Sequence, residues 1–99
     1  MLYAIISEDV KDSLAKRKSA RTAHLERLNH TTCQCRRLLA GPHASIGSVE
    51  PRASCFSGSL IVAEFTYLHE AQAWADADPY IEAGVYEKVT VKPFKKVLP

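Results

Sequence analysis

The stretch Gly58-Ser59-Leu60-Ile61-Val62-Ala63-Glu64-Phe65 decides the fold. Ser59, Ile61, Ala63 and Phe65 fall on one side of an extended chain, and Leu60, Val62 and Glu64 on the other. Both sets are largely apolar, so the segment reads as a strand covered on both faces. C-terminal to it, Thr66 or Tyr67 opens a helix from Leu68 to about Ala77, whose Leu68, Ala71, Trp74 and Ala75 share one face. Asp78-Pro79 ends that helix. Val85, Val89 and Val91, with Glu87 between them, then alternate against Tyr86, Lys88, Thr90 and Lys92, a strand running to Pro93.

Working toward the N-terminus, His43 to Ser57 collects Ser, Pro, Gly and Ala without periodicity and reads as a long loop. Arg37 to Gly41 is an expected strand stopped by Gly41-Pro42. Asn29 to Cys35 supports neither element clearly and is taken as a helix end plus loop. Ser13 to about Leu28 contains no Gly or Pro and has Asp12 or Ser13 as N-cap. Leu14, Lys18, Arg21, Leu25 and Leu28 share one side of that helix, beside Ala20 and Ala23. Leu2 to Ser7 is again apolar at both alternating sets, a doubly covered strand.

The order strand, helix, strand, strand, helix, strand is that of an α+β, ferredoxin-like βαββαβ sandwich with an antiparallel sheet. Right-handed crossovers put both helices on one face. The first and third strands nevertheless carry apolar residues toward the bare face, which calls for a homodimer packed sheet to sheet. A larger assembly of such dimers fits the same pattern.

A chain of 99 residues, 46% hydrophobic and 24% charged, is expected to form one domain over residues 1–99. Its net charge of +2 is too small to drive phosphate-backbone binding. Residues 1–50 hold 8 basic and 5 acidic side chains, net +3, against 5 and 6, net −1, in residues 51–99. The surplus sits mainly in Lys11, Lys16, Arg17, Lys18, Arg21 and Arg27, so anion-binding capacity belongs to the first quarter of the chain. No stretch approaches the roughly eighteen apolar residues that span a bilayer; the run from Ala53 to Ala63 is uncharged for 11 residues but includes three Ser and a Gly. The N-terminus carries no basic leader, and three cysteines, an odd number, suit a reduced compartment. These features place the protein in the cytoplasm, with no membrane and no nucleic-acid partner.

Candidate chemistry gathers on few residues. A histidine exchanges protons near neutral pH, and His24 follows Arg17 and Arg21 on adjacent turns, making it a candidate general base. Asp9, beside Glu8 at the end of the first strand, is the acid expected to orient it. Asp76 and Asp78 flank the end of the second helix, where acids oppose the helix dipole and serve turn formation instead. Ser59 could face a pocket, but no nucleophile-elbow motif surrounds it. No phosphate-binding or dinucleotide fingerprint is present, so no cofactor is indicated. His30, Cys33, Cys35 and His43 offer four soft or borderline ligands, yet C-x-C is short for a tetrahedral metal site and no metal is expected.

Several of these segments together resemble the YciI family of small bacterial proteins: Leu2-Tyr3-Ala4-Ile5-Ile6 with Asp9; Ser13-Leu14, Arg17, Arg21 and His24-Leu25; Arg37-Leu38-Leu39-Ala40-Gly41-Pro42. The string Ala71-Gln72-Ala73-Trp74-Ala75-Asp76-Ala77-Asp78-Pro79-Tyr80, with Ala83-Gly84-Val85-Tyr86 and Lys92-Pro93-Phe94-Lys95-Lys96-Val97, completes the match. The resemblance implies a dimeric α+β barrel and a site built around a His and an Asp, carried onto His24 and Asp9. It also implies proton transfer or elimination, of the isomerase or dehydrochlorinase type, on a small carboxylate or lactone. Arg17, Arg21, Ser59 and Asp78 are then the expected substrate-binding residues. The alternative is a noncatalytic dimeric module that binds a small ligand or serves a fusion partner. The chain departs from the family pattern at Gly47, where an Asp is usual, and at Arg52 and Cys55, where glycines are usual.

Overall fold

The computed structural model describes residues 1–35, 39–44 and 56–99, with the backbone alone at 32–35. The elements run β1 (Leu2–Asp9), α1 (Leu14–Cys35), β2 (Leu39–Ala44), β3 (Phe56–Glu64), α2 (Leu68–Asp76), α3 (Pro79–Glu82) and β4 (Tyr86–Phe94). Their sheet has the order β2-β3-β1-β4, and every adjacent pair is antiparallel. This is the ferredoxin-like α+β sandwich expected from the alternation.

Register explains the core. Tyr3 lies opposite Ala63, Ile5 opposite Ile61 and Val91, and Ser7 opposite Ser59 and Val89. These positions share the face that meets the helices, where Tyr3, Ile5, Ile61, Ala63 and Phe65 pack with Leu28, Ala71 and Ala75. The opposite face carries Leu2, Ala4, Ile6, Leu60 and Val62 from the two central strands, flanked by Leu39 on β2 and by Thr90, Lys92 and Phe94 on β4. Leu39 and Phe94 are exposed there.

Four sequence expectations change. First, α1 continues seven residues past Leu28, because Leu28 and Thr31 are both buried and the Trp74 indole donates to Thr31 Oγ1 at 2.9 Å. Packing overrides the weak local propensity of the threonines. Second, β2 runs through Gly41-Pro42 to Ala44. It is an edge strand, where a proline is tolerated. Strand β3 correspondingly starts at Phe56, so the loop expected over 43–57 is shorter at both ends, and residues 45–55 lie outside the described part. Third, Asp78-Pro79 does more than end α2. Asp78 caps a further helical turn, α3, with Pro79 at its start and its side chain accepting from Tyr80 N.

The fourth change matters most for the site. The pairing of β1 with β4 shifts between Glu8 and Asp9, so that Glu8 faces Lys88 while Asp9 faces Tyr86. Glu87 is the extra residue, and the bulge turns Tyr86 to the helix side. A strict alternation had put Tyr86 with Lys88, Thr90 and Lys92 on the other face.

Candidate active site

A cleft of about 600 Å³ opens between α1 and the helix-side face of β2 and β3, a volume suited to a small ligand. Apolar side chains, among them Leu25, Leu28, Phe56 and Ile61, make much of its wall. Its polar lining is Arg17, Lys18, Arg21, His24, Ser59 and Tyr80. Among the described residues that line it there is no carboxylate, so the cleft favours an anion.

The buried side of α1 is not the stripe of Leu14, Lys18, Arg21, Leu25 and Leu28 read from the sequence, of which only Leu28 is buried. Arg17, His24, Leu28 and Thr31 are buried, while Lys18, Arg21 and Leu25 are exposed. The helix buries polar groups on this side because two carboxylates, Asp9 at the end of β1 and Asp78 at the cap of α3, meet them.

One of these is Asp78. His24 donates Nδ1–H to Asp78 Oδ1 at 2.8 Å, and both side chains are less than a tenth exposed. The same oxygen accepts Tyr80 N at 2.9 Å, so the α3 cap and the histidine share one anchor. The Tyr80 ring stacks on the imidazole with centroids 3.9 Å apart and planes 6° from parallel. A carboxylate only accepts, so Nδ1 carries a proton, and in the neutral ring Nε2 is the nitrogen whose lone pair is left for a ligand. Burial pushes the Tyr80 phenol above its ordinary range, against the pull of Arg17 and Arg21.

The other is Asp9. Arg17 donates Nε–H to Asp9 Oδ2 at 2.6 Å and Nη2–H to Asp9 Oδ1 at 2.9 Å, a two-pronged pair. Ser13 Oγ donates to the same Oδ2 at 2.6 Å, and Arg17 Nη2 also reaches Gly58 O at 2.9 Å. Burial works against the Arg17 charge, but the Asp9 bond and charge outweigh it and hold the guanidinium protonated. The guanidinium lies 5.2 Å from the Tyr80 ring centroid and 5.5 Å from that of Phe56. A Cβ at Gly58 would overlap the Ser7 carbonyl oxygen, so glycine is what lets β3 approach β1 this closely beside the Arg17 anchor.

The expectation that Asp9 orients His24 is therefore corrected: Asp78, 54 residues away in sequence, does so, and Asp9 holds Arg17. Two further expectations change with it. The Nε/Nη2 edge of Arg17 is occupied by Asp9, so that edge cannot grip a substrate carboxylate, whereas Arg21 is exposed along the cleft. Asp78 stands behind His24 and is not part of the cleft wall. Ser59 does line the cleft, and its Oγ lies 2.6 Å from the Tyr86 phenol oxygen. Tyr80 and Tyr86 were the site residues missed. A Glu87 interrupting an otherwise apolar alternating set was the trace of the bulge that brings Tyr86 inward. Among the described residues no group of three or more His, Cys, Asp or Glu could hold a metal. His30 and His43 are exposed, and the side chains of Cys33 and Cys35 lie outside the described part, as do Gly47, Arg52 and Cys55.

A ferredoxin-like α+β sandwich with a ligand-sized, cation-lined cleft beside a buried His–Asp pair sets the class of the protein. The YCII-related domain matches residues 1–95, and the chain belongs to that family. It is 57% identical to Protein YciI of Escherichia coli O6:H1 over 97 residues, 98% of this chain and 99% of that protein. An uncharacterized protein of Haemophilus influenzae is 45% identical over the same span. Among solved structures, the fold is similar to 5-chloro-2-hydroxyhydroquinone dehydrochlorinase (TftG) from Burkholderia phenoliruptrix in complex with 2,5-dihydroxybenzoquinone. That likeness has a TM-score of 0.85 and 25% identity, covering 96% of this chain and 94% of that one. No helix among the described residues is long and apolar enough to cross a membrane.

Proposed function

We propose that the protein is a small-molecule enzyme performing general acid–base chemistry, an isomerisation or elimination, on a compact ring compound that is a lactone or carries an anionic group, such as a cyclic carboxylate or an ionised hydroxyquinone. The observation that carries this reading is the buried Asp78–His24 pair at a cleft whose charged lining is entirely cationic. His24 Nε2 removes a proton from carbon and returns it elsewhere. Asp78 holds the tautomer and steadies the imidazolium that forms. Lys18 and Arg21 attract the anion, while the Arg17 charge is already met by Asp9. The dehydrochlorinase likeness supports an elimination in which the same base starts loss of a leaving group.

The functional unit in this reading is a cytoplasmic homodimer of single-domain chains. Leu2, Ala4, Ile6, Leu39, Leu60, Val62 and Phe94 supply the apolar face it covers, and sedimentation velocity is expected to give about twice the 11.0 kDa chain mass.

Deuterium exchange tests the chemistry without a known product. In D2O at neutral pH, 2,5-dihydroxybenzoquinone and a panel of small lactones and cyclic carboxylates are followed by proton NMR. The expected result is accelerated exchange of an acidic C–H in one class of compound, lost in His24→Gln. Binding without any His24-dependent exchange would instead favour a noncatalytic ligand-binding module.

A further inference from the structure

Tyr86 is a second-row group that the acid–base reading leaves unused. The bulge at Glu87 turns its phenol to the helix side, where its oxygen lies 2.6 Å from Ser59 Oγ. Its ring meets Tyr80 edge-on, with centroids 5.7 Å apart and planes at 82°, and Tyr80 in turn stacks on His24. Ser59 lines the cleft and Tyr86 does not. Among the described residues Ser59 is buried and the phenol is its side-chain hydrogen-bond partner.

A contact of 2.6 Å between two hydroxyls means that one donates to the other. Burial pushes the Tyr86 phenol up to about 12, with the Ser59 bond acting in the opposite direction. The phenol therefore keeps its proton throughout the neutral range. Were Ser59 the donor, its proton would point away from the cleft, and the phenolic proton would need another acceptor. With the phenol as donor, both hydroxyls are satisfied once a ligand oxygen is present, because Ser59 then has its own proton left to give.

We propose that Tyr86 is a positioning residue: by donating to Ser59 Oγ, it directs the Ser59 O–H into the cleft as a hydrogen-bond donor to an oxyanion on the ligand. The inference rests on the acid–base reading and deepens it. When His24 Nε2 takes a proton from a carbon next to a carbonyl, the C–H electron pair moves into the new C=C bond. The carbonyl π pair goes to oxygen, which becomes the oxyanion. The Ser59 proton stays on Ser59, hydrogen-bonded to that oxygen, and the Tyr86 proton stays on Tyr86. Return of the proton from His24 to the ring system reverses the charge movement. A donor fixed before the reaction stabilises such charge at little reorganisation cost.

A double-mutant cycle tests this with 2,5-dihydroxybenzoquinone as ligand, its binding followed by visible absorbance at neutral pH. Ser59→Ala is expected to weaken binding about 10-fold, the loss of one hydrogen bond to a charged oxygen. Tyr86→Phe is expected to weaken it about 5-fold, and the double variant no more than Ser59→Ala alone. Ser59→Thr, which keeps a hydroxyl, stays within about threefold of wild type by the same hydrogen-bond arithmetic. Additive losses, or a Tyr86→Phe variant that binds like wild type, would overturn the proposal, as would an unaffected Ser59→Ala. Should Tyr86→Phe fail to fold, replacement of tyrosine by 3-fluorotyrosine, a stronger donor of the same shape, is expected to tighten binding in wild type and not in Ser59→Ala. Equal effects in the two backgrounds would refute it. Should the wild type not bind this quinone, the same cycle is run on the panel compound that shows His24-dependent exchange, and binding or exchange with none of them would overturn the acid–base reading and the Tyr86 proposal with it.

Discussion

Asp9 and Asp78 are both acids tied to α1, with the side chain of each nearly sequestered from solvent, and they do opposite things. Asp9 meets a guanidinium that stays charged at any ordinary pH, in a two-pronged pair closed by Ser13 and anchored through Arg17 to Gly58. No proton can usefully move there, so the cluster is a fixed ion pair that ties α1 to β1 and β3. Asp78 meets an imidazole seven residues further along the same helix, and through it a group that can take up and release a proton. The partner, more than the acid, decides whether a buried carboxylate braces a fold or tunes a base.

Variants can break this comparison at several points. The largest effect is expected from His24→Gln: proton exchange on a responsive compound should fall by about 100-fold or more, since general-base assistance is typically worth that much. Asp78→Asn should follow closely. The amide can present N–H toward Nδ1 and favour the other tautomer, so activity falls by about 100-fold while the packed structure survives with a modest loss of stability. Retained activity in Asp78→Asn would remove the distinction between the two acids.

Asp9→Ala should show the reverse profile, a stability defect ahead of a catalytic one. It strands a buried guanidinium, which costs on the order of 3 kcal/mol, or a drop in Tm of roughly 15 °C for a domain of this size. Equal thermal stability would mean that Arg17 finds solvent without Asp9.

Arg21→Ala should weaken an anionic ligand only about fivefold, because an exposed cation contributes little and is screened by salt. The effect should shrink further in high salt, and an undiminished effect would place Arg21 in a direct, desolvated contact.

The smallest effect belongs to Tyr86. Its folded-state value of about 12 lies above the ordinary phenol value of 10.0. Its contribution to stability is thus fully present below pH 10 and is lost as pH rises toward 12. Denaturant midpoints measured from pH 9 to 12 should fall less steeply in Tyr86→Phe than in wild type.

The same contrast shows what could be read in the sequence. The strands β1 and β3 were legible from two-sided apolar alternation, helix α2 from Ala71, Trp74 and Ala75, though Leu68 of the same expected face is exposed, and the histidine from its chemistry. The partner of His24 was not, because nothing local joins residues 24 and 78. An acid placed near the end of β1 and an acid in an Asp-Pro turn look equally plausible until the sheet brings α3 against α1. Asp78 looked like turn chemistry because it is that as well: one oxygen caps α3 and receives His24. The stripe of Leu14, Lys18, Arg21, Leu25 and Leu28 on α1 coincides with the buried side only at Leu28, since that side is the one with Arg17 and His24. Burial there follows paired charge rather than hydrophobicity. The edge position of β2 explains why Pro42 did not end it, and the bulge explains why Tyr86 left the face assigned by parity.

The central claim, that Asp78 rather than Asp9 sets the state of His24, is tested most directly by long-range proton–nitrogen NMR of the His24 ring in wild type, Asp78→Asn and Asp9→Asn. The account predicts a single Nδ1–H tautomer in the wild type at a pH where the ring is neutral, retained in folded Asp9→Asn and lost or mixed in Asp78→Asn. A tautomer that survives Asp78→Asn unchanged, or that is lost in a folded Asp9→Asn, would contradict it.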